Sequence, residues 1–108
     1  MMKMVIAVVN SDDSNAVMRA LTKNGYYATK LATTGGFLMM GNTTFLIGID
    51  EDKVDDVISL ISSHSKKRKQ VMPAATSYGV GMYDPLPIEV TVGGASIFVM
   101  DIERFEKV

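Results

Sequence analysis

Two strand-like runs joined by a glycine-flanked apolar loop, at positions 29–48, most constrain how this chain can fold. The first run, Thr29 to Thr34, and the second, Asn42 to Ile49, are rich in the β-branched and apolar residues typical of strands. The sequence GGFLMMG lies between them, and its glycines permit backbone conformations that other residues avoid. The segment therefore predicts two neighbouring strands whose connecting loop carries an apolar tip.

The apolar tip is unusual because surface loops are normally polar. Phe37, Leu38, Met39 and Met40 could pack on their own domain, on a neighbouring subunit or on a flat apolar ligand. Exposed apolar patches more often mark protein contacts, so the residues alone favour a subunit interface. The nearby hydroxyls, the Asn42 amide and an aromatic ring also suit a nucleotide, and a ligand held between subunits would satisfy both interpretations.

Size and composition narrow the class of protein. With 108 residues, the chain is expected to form a single domain over residues 1–108. A net charge of −1 excludes a general binder of nucleic-acid polymers. No apolar run approaches the roughly 18 residues needed to span a membrane. Cysteine is absent, which excludes disulfides and thiolate metal sites and suits a cytoplasmic protein.

The N-terminal half predicts a strand followed by a helix. Met4 to Val9 is an unbroken apolar run that indicates a central strand buried on both faces. Asn10 or Ser11 is suited to begin a helix, and Asn24-Gly25 is suited to end it. Between those ends the apolar positions repeat at helical spacing: Val17, Ala20 and Leu21.

The C-terminal half predicts a second helix, a long loop and two strands. The helix opens at Asp50 with acidic residues and has a core stripe formed by Val54, Val57, Ile58 and Ile61. Gln70 to Pro87 reads as a long loop. Residues 88–92 and 95–100 then read as strands paired through a two-residue hairpin turn at Gly93-Gly94.

The order of these elements is β-α-β-β-α-β plus a hairpin strand. It predicts an α+β protein of the ferredoxin-like, split βαβ kind, with an antiparallel sheet and two helices on one face. The other face of the sheet is left bare although its strands are apolar. We therefore expect that face to be buried against copies of the same chain.

Candidate catalytic and metal-binding residues are few. His64 is the only histidine, and no sequence arrangement supplies a partner for it, so no catalytic residue is assigned. The acidic residues between Asp50 and Asp56 lack a calcium-loop pattern and read as a solvated face, so no metal site is assigned. Lys66 to Lys69 reads as a solvated helix end, although its position before the long loop leaves a ligand role open.

Three stretches together resemble one known family. ATKLATTGGFLMMGNTTFLIG at 28–48, MKMVIAVV at the N-terminus and EVTVGGASIFVM at 89–100 are similar to the PII-like cyclic-di-AMP receptor proteins. The resemblance implies a PII-like homotrimer of ferredoxin-like fold that binds one cyclic di-AMP in each cleft between subunits. It also implies a second-messenger receptor without catalysis or cofactor, which regulates an unknown downstream protein through ordering of its loops. The ligand-binding residues that it implies are Thr29, Gly36, Phe37, Leu38, Asn42, Gly48 and Phe98.

The chain departs from the family pattern at two positions. Relatives tend to carry Arg where this chain has Tyr27, and often a basic residue where it has Met39. Each departure removes a cation that could meet a ligand phosphate, and a charge-assisted hydrogen bond contributes about 1.5–3 kcal/mol. The alternatives are a PII-like trimer that senses another adenine nucleotide, a structural trimer without cyclic di-AMP, and a small phosphohydrolase of the same fold.

Overall fold

The computed structural model of the chain describes residues 1–31, 41–73 and 87–108. Two helices and six strands follow one another within these ranges, with a 3-10 turn at Glu51–Lys53 before the second helix. In chain order they are β1 (Met2–Asn10), α1 (Ser11–Lys23), β2 (Thr29–Lys30), β3 (Asn42–Asp50), α2 (Val54–Ser63), β4 (Arg68–Pro73), β5 (Pro87–Val92) and β6 (Ala95–Asp101).

Four of the strands form an antiparallel sheet in the order β2-β3-β1-β6. Both helices pack on one face of this sheet, so the predicted ferredoxin-like α+β architecture is confirmed at the level of the chain. The fourth strand of the ferredoxin-like sheet is β6, because β5 pairs elsewhere. The central strand β1 pairs with β3 on one side and β6 on the other.

The core lies between the helices and the sheet. Alternate residues of β1 and β3 point towards the helices, as the two-residue period of a strand requires. On the helix side, Val17 and Leu21 of α1 meet Val57 and Ile61 of α2, as the sequence predicts. The strand side contributes Val5, Ala7, Val9, Phe45, Ile47 and Ile49. Burying these side chains stabilises the fold by roughly 1.5–3 kcal/mol for each large one.

The ends of α1 follow the capping residues in the sequence. Asn10 is the N-cap, and its side-chain oxygen accepts a hydrogen bond from the Asp12 backbone N–H at 2.8 Å. At the other end, Asn24 is the C-cap and Gly25 has a φ of 85°, a left-handed conformation that glycine adopts without strain. Of the two N-cap residues that the sequence allows, Asn10 and Ser11, the structure therefore shows Asn10.

The predicted long loop from Gln70 to Pro87 is wrong at both ends. Arg68–Pro73 is strand β4, and it pairs antiparallel with β5 to form a separate two-stranded ribbon, with Arg68 opposite Val92 and Pro73 opposite Pro87. Val71 on this ribbon is 63% exposed. The β4 sequence, RKQVMP, lacks the apolar alternation that identifies a half-buried strand, so the sequence does not predict it.

The predicted hairpin at Gly93-Gly94 is also wrong. β5 pairs with β4 and β6 pairs with β1, so the two glycines carry the chain from the ribbon into the main sheet. Their φ angles of 85° and 82° would suit a hairpin turn. The Gly94 backbone N–H instead donates to the Ser65 carbonyl oxygen at the end of α2. A long-range backbone contact thus decides between two connections that the local sequence cannot distinguish.

Smaller differences concern the extents of strands. β1 is longer than the predicted Met4–Val9, and only its helix-facing side is fully buried within the chain, whereas burial on both faces was expected. Of the predicted strand at 29–34, the structure describes residues 29–31, and only Thr29–Lys30 form strand β2. The candidate residues Gly36, Phe37 and Leu38, like Met39 and Met40, lie outside the described residues.

Candidate ligand-binding face

The sheet face opposite the helices is apolar along its centre, and its residues are half-buried or exposed within one chain. We call it the open face. Its central row runs across all four strands, because Thr29 pairs with Leu46, Leu46 with Ile6, and Ile6 with Phe98. Directly paired residues of antiparallel strands project to the same side of the sheet. Phe98 is 57% exposed on this face, and Met100, two residues further along β6, is 50% exposed.

All four described candidate residues of the predicted site lie on the open face. Thr29 and Phe98 belong to the central row, and Asn42 and Gly48 share the side of Leu46 because they lie at even spacing from it along β3. The resemblance therefore selects residues that the fold places on one surface. Each of the four is exposed in the isolated chain.

The four residues are nevertheless spread across the open face. Thr29 is on the edge strand β2 and Phe98 on the opposite edge strand β6, three strand spacings or roughly 14 Å apart. Asn42 and Gly48 are near opposite ends of β3, with five residues between them. Within one chain, the four residues are therefore too far apart to surround a single small ligand. Sheet edges from two neighbouring chains could bring such residues together.

Gly48 is a glycine that the fold of the chain does not itself require. Its φ is not positive, and a Cβ at this position would make only ordinary contacts, 3.7 Å from Ile102 Cδ1 and 3.8 Å from Met2 Cε. Glycine inside a strand is unfavourable unless another group must approach the backbone closely. Glycine at this exposed position leaves the backbone of β3 without a Cβ on the open face.

The entry into β2 is fixed by Tyr26. Its ring packs against the core, and its hydroxyl donates a hydrogen bond to the Asp56 carboxylate on α2. This hydrogen bond, with a smaller contribution from burial, raises the pKa of Tyr26 above its usual value. Tyr27 next to it is 87% exposed and lies two residues before Thr29. The aromatic ring that stands where relatives tend to carry Arg is thus on the surface beside a candidate residue.

The first turn of α1 makes hydrogen bonds at the start of β3 and at the start of β4. The Ser11 backbone N–H donates to the Gly41 carbonyl oxygen at 2.6 Å, and Ser11 Oγ lies 2.9 Å from Thr43 Oγ1. Two residues later, buried Asp13 accepts two hydrogen bonds from the Arg68 guanidinium, at 3.1 and 3.2 Å. Gly41 is the last residue of the apolar loop and Arg68 is the first residue of the ribbon. One helical turn is therefore hydrogen-bonded to the end of the loop and to the start of the ribbon.

Replacing Asp13 with Asn is expected to destabilise the protein by about 1–2 kcal/mol. The substitution keeps the side-chain shape but removes the charge of buried Asp13 from its bidentate ion pair with Arg68, whose side chain is 45% exposed. Chemical denaturation of the two proteins at equal concentration measures the difference. The matched control is Glu89→Gln, which breaks the exposed 3.2 Å pair with Lys69 on the same ribbon and should change stability by less than about 0.5 kcal/mol. Equal effects of the two substitutions would contradict a structural role for the Asp13 pair.

A polar cleft of 250 Å³ lies where the open face meets the ribbon base. It includes the candidate residue Asn42, together with residues that sequence reasoning did not assign to a site. The lining residues are Val8, Asn10, Asn42, Lys67, Gly93, Gly94, Ala95 and Ser96. They come from four separate stretches of the chain, so no local motif marks this cleft.

Three further observations concern metal binding, the histidine and membrane spans. Among the residues that the structure describes, no three His, Asp or Glu side chains come close enough together to hold a metal ion. His64, at the C-terminal end of α2, has its Nδ1 2.9 Å from the Leu60 carbonyl oxygen. No helix in the described ranges is long and apolar enough to cross a membrane.

Comparison with known proteins identifies the family. A solved structure of a functionally unknown protein from Pediococcus pentosaceus ATCC 25745 is 41% identical to this chain, with a TM-score of 0.74. The alignment covers 99% of this chain and 97% of that one. The family model described as cyclic-di-AMP receptor matches residues 2–108, and this is a family of receptors, not of enzymes. The chain belongs to the cyclic-di-AMP receptor family.

Proposed function

We propose that this chain is a PII-like, second-messenger receptor of the cytoplasm that binds cyclic di-AMP between the subunits of a homotrimer. In this proposal residues 1–108 form one PII-like domain, and the protein acts without catalysis or cofactor. It passes the signal to a downstream protein whose identity is not specified by the chain. The family match supports the ligand, and the open face supports the site.

The observation that carries the proposal is the distribution of candidate residues over the open face. Thr29 lies on the edge strand β2 and Phe98 on the opposite edge strand β6. A ligand that contacts both residues is therefore best placed where β2 of one chain meets β6 of another. The centre of the face is apolar and half-buried at Ile6 and Leu46, which suits packing against other copies. A cyclic closure of three chains would cover the centre and leave a cleft at each shared edge.

Each proposed contact has a physical role. Phe98 offers an exposed ring on which a purine can stack, and Thr29 and Asn42 offer short polar side chains. Gly48 permits close approach of the ligand or of a neighbouring chain to the backbone of β3. Gly36, Phe37 and Leu38 would supply the wall of the loop before Gly41, as the family resemblance implies.

Regulation follows in this proposal from the first turn of α1. A ligand that selects one position of the apolar loop would act on Gly41, which is hydrogen-bonded to Ser11. Asp13, in the same helical turn, holds Arg68 at the start of the ribbon. A ligand with different affinity for two loop positions would therefore also shift the population of ribbon positions, which changes the surface offered to a partner.

Phe98→Ala is expected to weaken cyclic di-AMP binding by about 1–3 kcal/mol, the contribution of one base stacked on an aromatic ring. Isothermal titration calorimetry of the wild-type and variant proteins measures it directly. The wild-type protein should bind with a saturable heat signal, and the variant should bind roughly tenfold to hundredfold more weakly.

Val71→Ala is the matched control, because Val71 is also an exposed apolar residue, 63% exposed, but lies on the ribbon strand β4. It should leave the affinity unchanged within about twofold. A wild-type protein that gives no heat at high micromolar cyclic di-AMP would refute the ligand. An unchanged affinity in Phe98→Ala would remove that ring from the site.

A further inference from the structure

The 250 Å³ cleft between the open face and the ribbon has a lining suited to an anion. Its floor is formed by two cross-strand pairs, Asn10 with Asn42 and Val8 with Ser96. Lys67 and the Gly93–Ala95 segment complete it on the ribbon side. The lining contains amides, a hydroxyl and an ammonium group but no carboxylate. Such a set donates hydrogen bonds and carries positive charge, so it favours an anion over a neutral or cationic ligand.

The local hydrogen bonds leave donors available in the cleft. Asn10 Oδ1 accepts the N-cap hydrogen bond from Asp12, and its amide Nδ2 therefore remains to donate. Two carboxylates lie in the first turn of α1, directly after its N-cap Asn10. Asp13 there is neutralised by the bidentate Arg68 pair, and exposed Asp12 does not line the cleft.

Lys67 differs from its basic neighbours. Arg68 is paired with Asp13 and Lys69 with Glu89, whereas no ion pair between described residues involves Lys67. Its aliphatic stem lies along Gly94, because a Cβ on that glycine would fall 2.9 Å from Lys67 Cγ and 3.3 Å from Cε. The glycine thus provides the space in which the lysine stem crosses the chain, and the ammonium group borders the cleft.

We propose that this cleft binds a phosphate group, with Lys67 as the cation and Asn10, Asn42 and Ser96 as hydrogen-bond donors. The inference rests on the proposed function: the phosphate is one of the two phosphodiesters of the cyclic dinucleotide. At 250 Å³ the cleft is smaller than the roughly 300–1,000 Å³ of pockets that enclose a whole drug-sized ligand. It therefore holds the phosphate and adjoining atoms while the purines lie elsewhere on the open face.

Lys67 would supply a positive charge for the ligand phosphate, which Tyr27 cannot supply. Position 27 is just before β2, whereas Lys67 is just before β4. The chain would thus meet ligand phosphate with a lysine from the ribbon base instead of an arginine beside the second strand. Binding at Lys67 would also place the ligand next to Arg68, the residue through which α1 holds the ribbon.

Lys67→Gln tests the assignment, with Lys66→Gln as matched control. Both substitutions remove one exposed positive charge from adjacent positions, but the Lys66 side chain does not line the cleft. In calorimetric titration, Lys67→Gln should weaken cyclic di-AMP binding by about tenfold to hundredfold. Lys66→Gln should weaken it by less than about threefold. Equal affinities of the two variants would overturn the assignment of Lys67 while leaving the proposed receptor function intact.

A second titration separates the cleft from the receptor function. Inorganic phosphate at millimolar concentration is added to ¹⁵N-labelled wild-type protein and to Lys67→Gln, and the amide resonances of Gly94, Ala95 and Ser96 are followed. Saturable shifts in the wild-type protein that are lost in the variant support the phosphate site. If cyclic di-AMP does not bind the wild-type protein, the receptor proposal fails. The phosphate titration then tests by itself whether the cleft binds phosphate. Shifts that are absent, or equal in both proteins, would overturn the phosphate site.

Discussion

Replacing Ile6 with Glu is expected to give a monomer that no longer binds cyclic di-AMP measurably. Ile6 is at the centre of the open face, between Leu46 and Phe98 in the row that crosses the sheet. In a trimer closed over this face, the new carboxylate would be buried without a partner. An uncompensated buried charge costs several kcal/mol, which corresponds to more than about a hundredfold in an equilibrium constant.

Sedimentation velocity gives the mass of the assembly, and calorimetry gives the affinity of the same samples. Thr22→Glu, which places the same charge on the exposed surface of α1, should leave both unchanged. Met100→Glu is a second open-face variant, and its half-exposed position on β6 tolerates the charge in the isolated chain. A trimer of wild-type affinity in both open-face variants would show that the open face is not the interface.

Gly93→Ala is expected to destabilise the protein by roughly 2–4 kcal/mol. A Cβ at this position would press against the Lys66 carbonyl oxygen and lie 2.7 Å from Arg68 Nη1. It would also occupy a left-handed backbone conformation, at a φ of 85°, which costs an L-residue about 1–2 kcal/mol. Displacing the backbone to relieve the contact adds about 1–3 kcal/mol.

Gly25→Ala separates the two contributions. Gly25 has the same φ of 85°, but a Cβ there would meet nothing within 4 Å. Gly25→Ala should therefore lower the free energy of unfolding only by the cost of the left-handed backbone conformation, about 1–2 kcal/mol. Urea denaturation at one fixed protein concentration measures both variants, because assembly makes apparent stability depend on concentration. Equal losses would contradict the tight packing at the ribbon base.

The elements that the sequence predicts well are those with a local physical cause. The α1 stripe of Val17, Ala20 and Leu21 has helical spacing and faces a core, and the Asn10 cap satisfies a nearby backbone donor. The strand β4 has no such local pattern in its sequence, and its extent follows from its pairing with β5. The connection made by Gly93-Gly94 likewise depends on a hydrogen bond to Ser65, which is distant in the sequence.

The candidate site divides in the same way. Thr29, Asn42, Gly48 and Phe98 follow from family resemblance, and the strand register then places them on one face. Lys67 carries no local signal that distinguishes it from the three other basic residues of its run. Only the three-dimensional structure shows Lys67 at the cleft and Arg68 paired with a residue 55 positions away.

Native mass spectrometry of the protein with cyclic di-AMP counts chains and ligands in one species. An assembly of three chains that takes up as many as three cyclic dinucleotides is expected. Under the same conditions, Ile6→Glu should appear as ligand-free monomer. Cyclic di-AMP bound to a single wild-type chain, or a wild-type trimer that takes up none, would contradict a ligand site shared between subunits.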